Sequence, residues 1–382
     1  MMEMNIIIDE AVAAFRKLLE EQLLRVERME KDAAAAKEDK KCITIGIIDG
    51  DGIGPIIVSQ AERVAEELLR DEIESGKVVL KRIEGLTIEN RLATGKTLPD
   101  GVLDAIKECD VLLKGPTTTP KGGSMESANV ALRRELDLFA NVRPVSIPER
   151  GIDWAFFREN TEGEYVLGSR GVQIGDKMAV DFKVTTDLGT RRIARAAFEY
   201  ARRNGKKNMA IVTKANIMKK TDGNFSAICH EIAKEYPEIT AEDWYVDIMA
   251  ANLINESMAS RFEVLVLPNL YGDILTDEAA QIQGGVGTAG SANTGDRYGM
   301  FEAIHGSAPR MIEEGIGEYA NPASILRALC MLLDHVGLGD KASKLTAAIE
   351  ATDADASVHV TGNRDGATCK AYTDALILQL QK

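Results

Sequence analysis

KGPTTTPKGGSMESANVALRRELDLFANVRP, residues Lys114–Pro144, is the stretch on which the reading of this chain turns. It opens as a Gly/Pro/Thr loop, becomes an amphipathic helix at Ser127, and ends in a short apolar run carrying Arg143. Arg133, Arg134 and Arg143 stand close together here, in a chain of formal net charge −14. Basic density against an acidic background marks a place for a small anion. The planar guanidinium fork suits a carboxylate, because two parallel N–H···O bonds fix orientation as well as charge. Taken singly, each arginine also reads as a solvated charge on a helix face.

Working outward, 382 residues suffice for one large or two ordinary domains, and 45% hydrophobic with 28% charged residues is usual for a soluble globular protein. The acidic balance argues against nucleic acid, whose binders carry a basic footprint. Cys42, Cys109, Cys229, Cys330 and Cys369 are scattered with no C-x-x-C pair, which reads as reduced thiols in a cytoplasmic compartment. No apolar run reaches the roughly 18–20 residues of a membrane span, and the acidic N-terminus lacks a signal-peptide pattern.

Along the chain, Val12, Phe15, Leu19, Leu23 and Val26 recur at helical steps, so residues 1–30 read as a helix, with 31–41 as a polar linker. That helix suits either packing on its own domain or contact between subunits. Ile43–Asp49 reads as a buried strand running into Gly50-Asp51-Gly52-Ile53-Gly54-Pro55. A dinucleotide fingerprint fails there because Pro55 replaces the third glycine, and Gly95-Lys96-Thr97 fails as a P-loop because Asn90 replaces its first. Strands at Val78–Ile83 and Val111–Lys114, with a helix at Asp100–Glu108, alternate as an α/β layer should.

Further strands are expected at Trp154–Phe157, Asn208–Thr213 and Phe262–Leu267, with a helix at Gly189–Asn204 and an extended arm at 166–186. Arg158 and Lys214 follow directly on strands, where α/β proteins place chemistry, although a surface lysine is the default for any single Lys. Asp273 and Asp277, expected at the start of a helix, are spaced i, i+4 and share one face. A Mg²⁺- or Mn²⁺-binding pair and a purely structural pair both fit that spacing. Capping would account for Asp273 but not for Asp277. Gly284–Gly299 reads as irregular, residues 301–310 as a polar loop around His305, and Asn321-Pro322 as the opening of an apolar helix.

Taken together, the blocks GDGIGP at 50–55, KGPTTTP and ESANVALRRELDLFANVRP at 114–144, FRENTEGEY at 157–165, TKANIM at 213–218, NLYGDILTDEAA at 269–280 and EAIHGSAP at 302–309 resemble the isocitrate/3-isopropylmalate dehydrogenase family of metal-dependent β-decarboxylating dehydrogenases. The resemblance covers residues 42–382. It implies a non-Rossmann α/β fold: a large cofactor-binding domain from 42–138 and 284–382, and a small domain with dimer interface and clasp from 139–283, preceded by the helix and linker at 1–41. It implies a homodimer or higher assembly and a small hydroxy polycarboxylate as substrate.

The resemblance also implies roles. Arg133, Arg143 and Arg158 match the clamp on the substrate's carboxylates, with Thr118 beside them. Tyr165 and Lys214 match the catalytic pair, the lysine reaching across from the partner. Asp247 (also from the partner), Asp273 and Asp277 match the ligands of Mg²⁺ or Mn²⁺. The loop His305, Gly306, Ser307, Ala308 with Asn321 matches the nicotinamide cofactor site, to which Lys114 and Thr119 are added. Ser127 and Asn129 match the isocitrate branch, since hydroxyl and amide groups suit a carboxylate better than an isopropyl group. Arg310, with Arg364, favours NADP over NAD. The activity implied is oxidative decarboxylation of isocitrate to 2-oxoglutarate, with 3-isopropylmalate, homoisocitrate or another malate-type acid as the alternative. A Mg²⁺-dependent phosphoester enzyme and a non-catalytic regulatory paralogue are the readings from other classes.

Overall fold

The short apolar runs form strands, and each lies where both of its faces can be covered. The computed structural model describes residues 2–33, 42–120, 125–166, 171–285 and 289–382. Most of the expected linker (34–41) and the early part of the expected arm (167–170) lie outside the described residues, as do 121–124 and 286–288. The chain divides into two units, one of Met1–Glu38 with Pro148–Leu275 and one of Asp39–Ile147 with Thr276–Lys382.

In the second unit the strands follow the order Val78–Arg82, Ile43–Ile48, Val111–Lys114, Gly299–Ala303, Gly290–Thr294, Ala140–Ile147. The first four run parallel, and Gly290–Thr294 is antiparallel to both of its neighbours. Parallel strands need cover on both faces. On one face Ile45, Ile47 and Leu113 pack with Ile57, Val58, Leu326 and Leu329; on the other Ile48, Leu112 and Met300 pack with Ile106 and Leu132. The helix Gly54–Leu68 supplies Ile57, Val58, Ala61, Val64, Ala65 and Leu68 at steps of three and four. Its Pro55 sits in the first turn, where a missing N–H is harmless.

In the first unit Ile152–Glu159, Val264–Leu267, Asn208–Thr213 and Thr240–Tyr245 lie side by side, all parallel. Val264–Leu267 is wholly buried, and the helix Asp187–Arg203 turns Ile193, Ala197 and Phe198 inward. The region read as an extended arm contains the hairpin Val172–Ile174 with Met178–Val180. The N-terminal helix Met2–Ala33 packs within this unit through Leu18, Gln22 and Met29, while Val12, Leu19 and Leu23 remain exposed.

Three expectations need correcting. Residues 301–310 are not a loop throughout, because Phe301, Glu302 and Ala303 belong to the strand Gly299–Ala303 and Pro309 opens a short helix. Gly284–Gly299 is not irregular throughout, because Gly290–Thr294 forms a strand bonded on both edges. Its glycine is a packing requirement: a Cβ on Gly290 would overlap the backbone of Ala328 in the helix lying on it. The helix carrying Asp273 begins at Asn269, four residues before that aspartate. Gly272 disguised that start. A side chain there would bring its Cβ within 2.6 Å of Arg158 Cβ, so glycine's cost in a helix interior is accepted for close approach.

Candidate active site

In the first unit the site begins at the carboxyl end of Ile152–Glu159. Register pairs Arg158 with Leu267, one residue before the turn into helix Asn269–Gln283. Arg158 is 1% exposed. Its Nε and Nη2 donate to Asn269 Oδ1 at 3.0 and 2.7 Å, and its Nη1 donates to Asp273. Tyr165 donates its hydroxyl to the other oxygen of the same carboxylate at 2.7 Å, and the guanidinium carbon stands 5.2 Å from the Tyr165 ring. One aspartate thus engages a buried cation and a phenol. With Asp273 inside the helix, capping no longer explains it.

Lys214 follows Asn208–Thr213, and its backbone N–H is fixed by Asp222 Oδ2 at 2.7 Å. Its ammonium donates to Asp247 Oδ1 at 2.6 Å, and that hydrogen bond is the leading reason the Asp247 carboxyl lies below its usual range. The two residues expected to act from a partner subunit are therefore presented together.

In the second unit the three clustered arginines separate. Arg134 lies outside, forked onto Glu126 at 2.6 and 2.9 Å. Arg143 is buried and donates from Nη1 to Thr276 Oγ1 and Asp277 Oδ1, both at 2.8 Å. Arg133 reaches Glu302 at 3.4 Å. The Nε groups of Arg133 and Arg143 are buried and have no hydrogen-bond partner among the described residues, so each keeps a donor for an anion.

Lys114 has no exposure. The register that sets Glu302 opposite it on the next parallel strand lets its ammonium reach Glu302 Oε2 at 3.0 Å and the Gly115 carbonyl at 2.8 Å. Burial alone would raise the Glu302 carboxyl. The charges of Lys114 and Arg133, with hydrogen bonds from Lys114 and Asn293, outweigh burial and hold it at about 2.

Around the glycine-rich turn three loops interlock. Asp51 accepts from the backbone of Ile88 and of Thr118, each at 2.7 Å. The backbone of Asp51 donates to Pro116 O and that of Ile53 to Ser307 O. Gly50 and Gly52 both take positive φ, and side chains there would overlap those same two carbonyls. Thr118 Oγ1 and Ser307 Oγ lie 2.7 Å apart, and Thr119 is exposed beside them. The His305 imidazole, lowered by burial, meets Gly306 O at 3.0 Å, and Ala308 takes φ +43. Asn321 accepts from Ala323 N at 2.8 Å, which leaves its amide NH₂ for other use. Arg310 is exposed and pairs with Glu314, and Arg364 is exposed in its loop.

Ser127 sits at the N-cap of Ala128–Glu135 without using its hydroxyl as a cap. Asn129 Oδ1 accepts from Thr117 at 3.0 Å. Sequence reasoning missed Asp51, Asn269 and Glu302, which anchor these groups. Asp51 and Glu302 stood inside quoted blocks, and Asn269 headed NLYGDILTDEAA, but their partners are distant in sequence.

The residues fit a hard divalent cation in part. Asp273 and Asp277 offer oxygen donors one turn apart, which suits Mg²⁺ or Mn²⁺. Among the described residues no group of three His, Cys, Asp or Glu side chains forms a site within one chain, so a full donor set calls for a further ligand.

The chain matches the isocitrate/isopropylmalate dehydrogenase family over residues 44–376. It is 36% identical over 348 residues to subunit 2 of the mitochondrial NAD isocitrate dehydrogenase of Schizosaccharomyces pombe, covering 88% of each chain. It is 39% identical over 326 residues to the NADP isocitrate dehydrogenase of Rickettsia prowazekii, covering 81% of this chain and 63% of that one, so it spans less than two thirds of that relative. The solved isocitrate dehydrogenase of Methylococcus capsulatus superposes with TM-score 0.78 at 35% identity, over 89% of this chain and 100% of that one, which bears out the expected fold class. With a match across most of its length and a shared fold, the chain belongs to the isocitrate/isopropylmalate dehydrogenase family.

Proposed function

We propose that this protein oxidises isocitrate and decarboxylates it to 2-oxoglutarate, reducing NAD(P). The observation that carries the reading is the Asp273 carboxylate held between the Arg158 guanidinium and the Tyr165 hydroxyl. It joins a candidate metal ligand, a carboxylate clamp and a proton donor in one group.

Asp273 and Asp277, with Asp247 of the partner subunit, would hold Mg²⁺ or Mn²⁺. When bound, the cation would supply Lewis acidity and the nicotinamide a hydride acceptor. Arg133, Arg143 and Arg158 orient the carboxylates. Lys214 takes the hydroxyl proton as the carbinol carbon becomes a ketone. Carbon dioxide leaves without the bonding pair, and Tyr165 delivers a proton to the carbon left behind. Ser127 and Asn129 hydrogen-bond the carboxylate that marks isocitrate, beside Thr118. Lys114, Thr119, His305, Gly306, Ser307, Ala308 and Asn321 form or support the cofactor's place. Arg310 and Arg364 supply positive charge for a 2′-phosphate, which favours NADP. Delivery of Lys214 and Asp247 from a second copy makes the working unit a homodimer. The five free cysteines suit a cytoplasmic enzyme, and among the described residues no helix is long and apolar enough to cross a membrane. The half-buried Met125 beside Ser127 supports a second reading, a malate-type acid with an apolar tail.

The test is turnover of isocitrate and of 3-isopropylmalate, each with NAD⁺ and with NADP⁺, with and without chelator. Isocitrate with NADP⁺ should give the strongest rise in nicotinamide absorbance, abolished by chelator. No rise with either acid and either cofactor would refute the reading.

A further inference from the structure

The helix Met2–Ala33 lies before the family match at 44–376, yet it grips the loop that carries Tyr165 from both sides. On one side Arg25 donates from Nη1 to Glu162 Oε1 and from Nη2 to Thr161 Oγ1, both at 3.1 Å. On the other, Leu18 packs with Val166, the residue after Tyr165, in a cluster with Phe182 and Val184. Phe15 stacks on Phe182 with centroids 5.0 Å apart.

The loop needs such an anchor because it buries two carboxylates. Glu159 and Glu162 are 3% and 2% exposed. Glu159 accepts from Thr161 N, Thr161 Oγ1 and Glu162 N at 2.9, 2.7 and 2.7 Å. Glu162 accepts from Thr186 N and Oγ1 at 2.8 and 2.5 Å. Neutral donors satisfy lone pairs but leave like charges facing each other. The charges facing Glu159 are Glu162 and Arg25; burial and Glu162 push it up to about 7, and Arg25 pulls it back. Bridging Gly163 to Val184 through N···O contacts of 2.7 and 3.1 Å closes the loop just before Tyr165.

We propose that the N-terminal helix is a positioning element for Tyr165, acting through Arg25 and Leu18 on residues 161–166. This rests on the reading of Tyr165 as the proton donor. Without Arg25, Glu159 holds its proton to higher pH or the loop opens, and either change moves the phenol away from its place 2.7 Å from Asp273. Arg25 itself is a positioning residue.

The test uses full-length Arg25→Met, Arg25→Lys and Leu18→Ala beside the parent. Arg25→Met should lower kcat at least about 10-fold with KM changed less than about 2-fold, and should move the acid limb of the kcat profile up by about one pH unit, as loss of a close opposite charge does. Arg25→Lys should recover most of both, and Leu18→Ala should lower kcat without moving the limb. A folded Arg25→Met protein with the parent's kcat and pH profile overturns the inference. Should Arg25→Met fail to fold, Arg25→Gln, which keeps donors without charge, decides by the same profile. Amide exchange at 161–166 separates the two levels of the argument. If the parent turns over none of the hydroxy acids, the functional reading has failed, and exchange unchanged in Arg25→Met then overturns the positioning role as well, while faster exchange supports it.

Discussion

Lys114 and Glu302 stand opposite each other in the register of adjacent parallel strands, with Nζ 3.0 Å from Oε2 and neither side chain more than 5% exposed. Removing Lys114 leaves the buried Glu302 carboxylate with only the longer Arg133 contact at 3.4 Å and the Asn293 amide, and breaking a buried pair costs up to about 3–5 kcal/mol. Lys114→Met should therefore lower Tm by several degrees, measured by calorimetry, and a change within error would refute the pair's role.

The same pair sets a pH dependence. Glu302 is held at about 2, below its unfolded value of 4.5. Its contribution is therefore fully present above the unfolded value and lost as pH falls towards about 2. Denaturant melts from pH 6 down to 3 should show the parent losing stability faster than Glu302→Gln, whose starting stability is lower.

Tyr165→Phe should keep the fold, since its partly buried hydrogen bond to the Asp273 carboxylate contributes only about 1.5–3 kcal/mol. It should reduce kcat by about 10²-fold or more, the usual contribution of a positioned acid. Full turnover in that variant would remove Tyr165 from the mechanism.

Gly272→Ala tests the helix approach. Its new methyl would lie 2.6 Å from the stem of Arg158. Displacing that guanidinium by about 1 Å should cost about 10²-fold in kcat/KM, with thermal stability reporting separately on the fold.

Added Mg²⁺ should raise Tm, by an amount corresponding to about 2.7 kcal/mol at a hundredfold excess over Kd. Asp277→Asn should abolish most of that rise. An equal rise in both proteins would place the cation elsewhere.

Much of this was legible because chemistry follows strong local signals. Arg158 and Lys214 each close an apolar run, and those runs became strands within two residues of expectation. Thr240–Tyr245 went unread because this edge strand has no buried residue on either face and so carries no apolar run. Gly290–Thr294 went unread because its glycine serves a helix packed on it, a demand that local propensity cannot express. Pairings such as Lys114 with Glu302 and Arg25 with Glu162 join residues 188 and 137 apart. They arise from sheet register and helix docking, which no local window of sequence contains.

The interlocked loops at Gly50–Gly52, Pro116–Thr118 and Ser307 are tied by two main-chain hydrogen bonds, by the Asp51 carboxylate and by a pair of hydroxyls. Under the proposed function, a nucleotide meeting that floor would find little left to order. On that same proposal, coenzyme preference would then be free to drift at exposed positions such as Arg310 and Arg364 while the glycine turn keeps its shape.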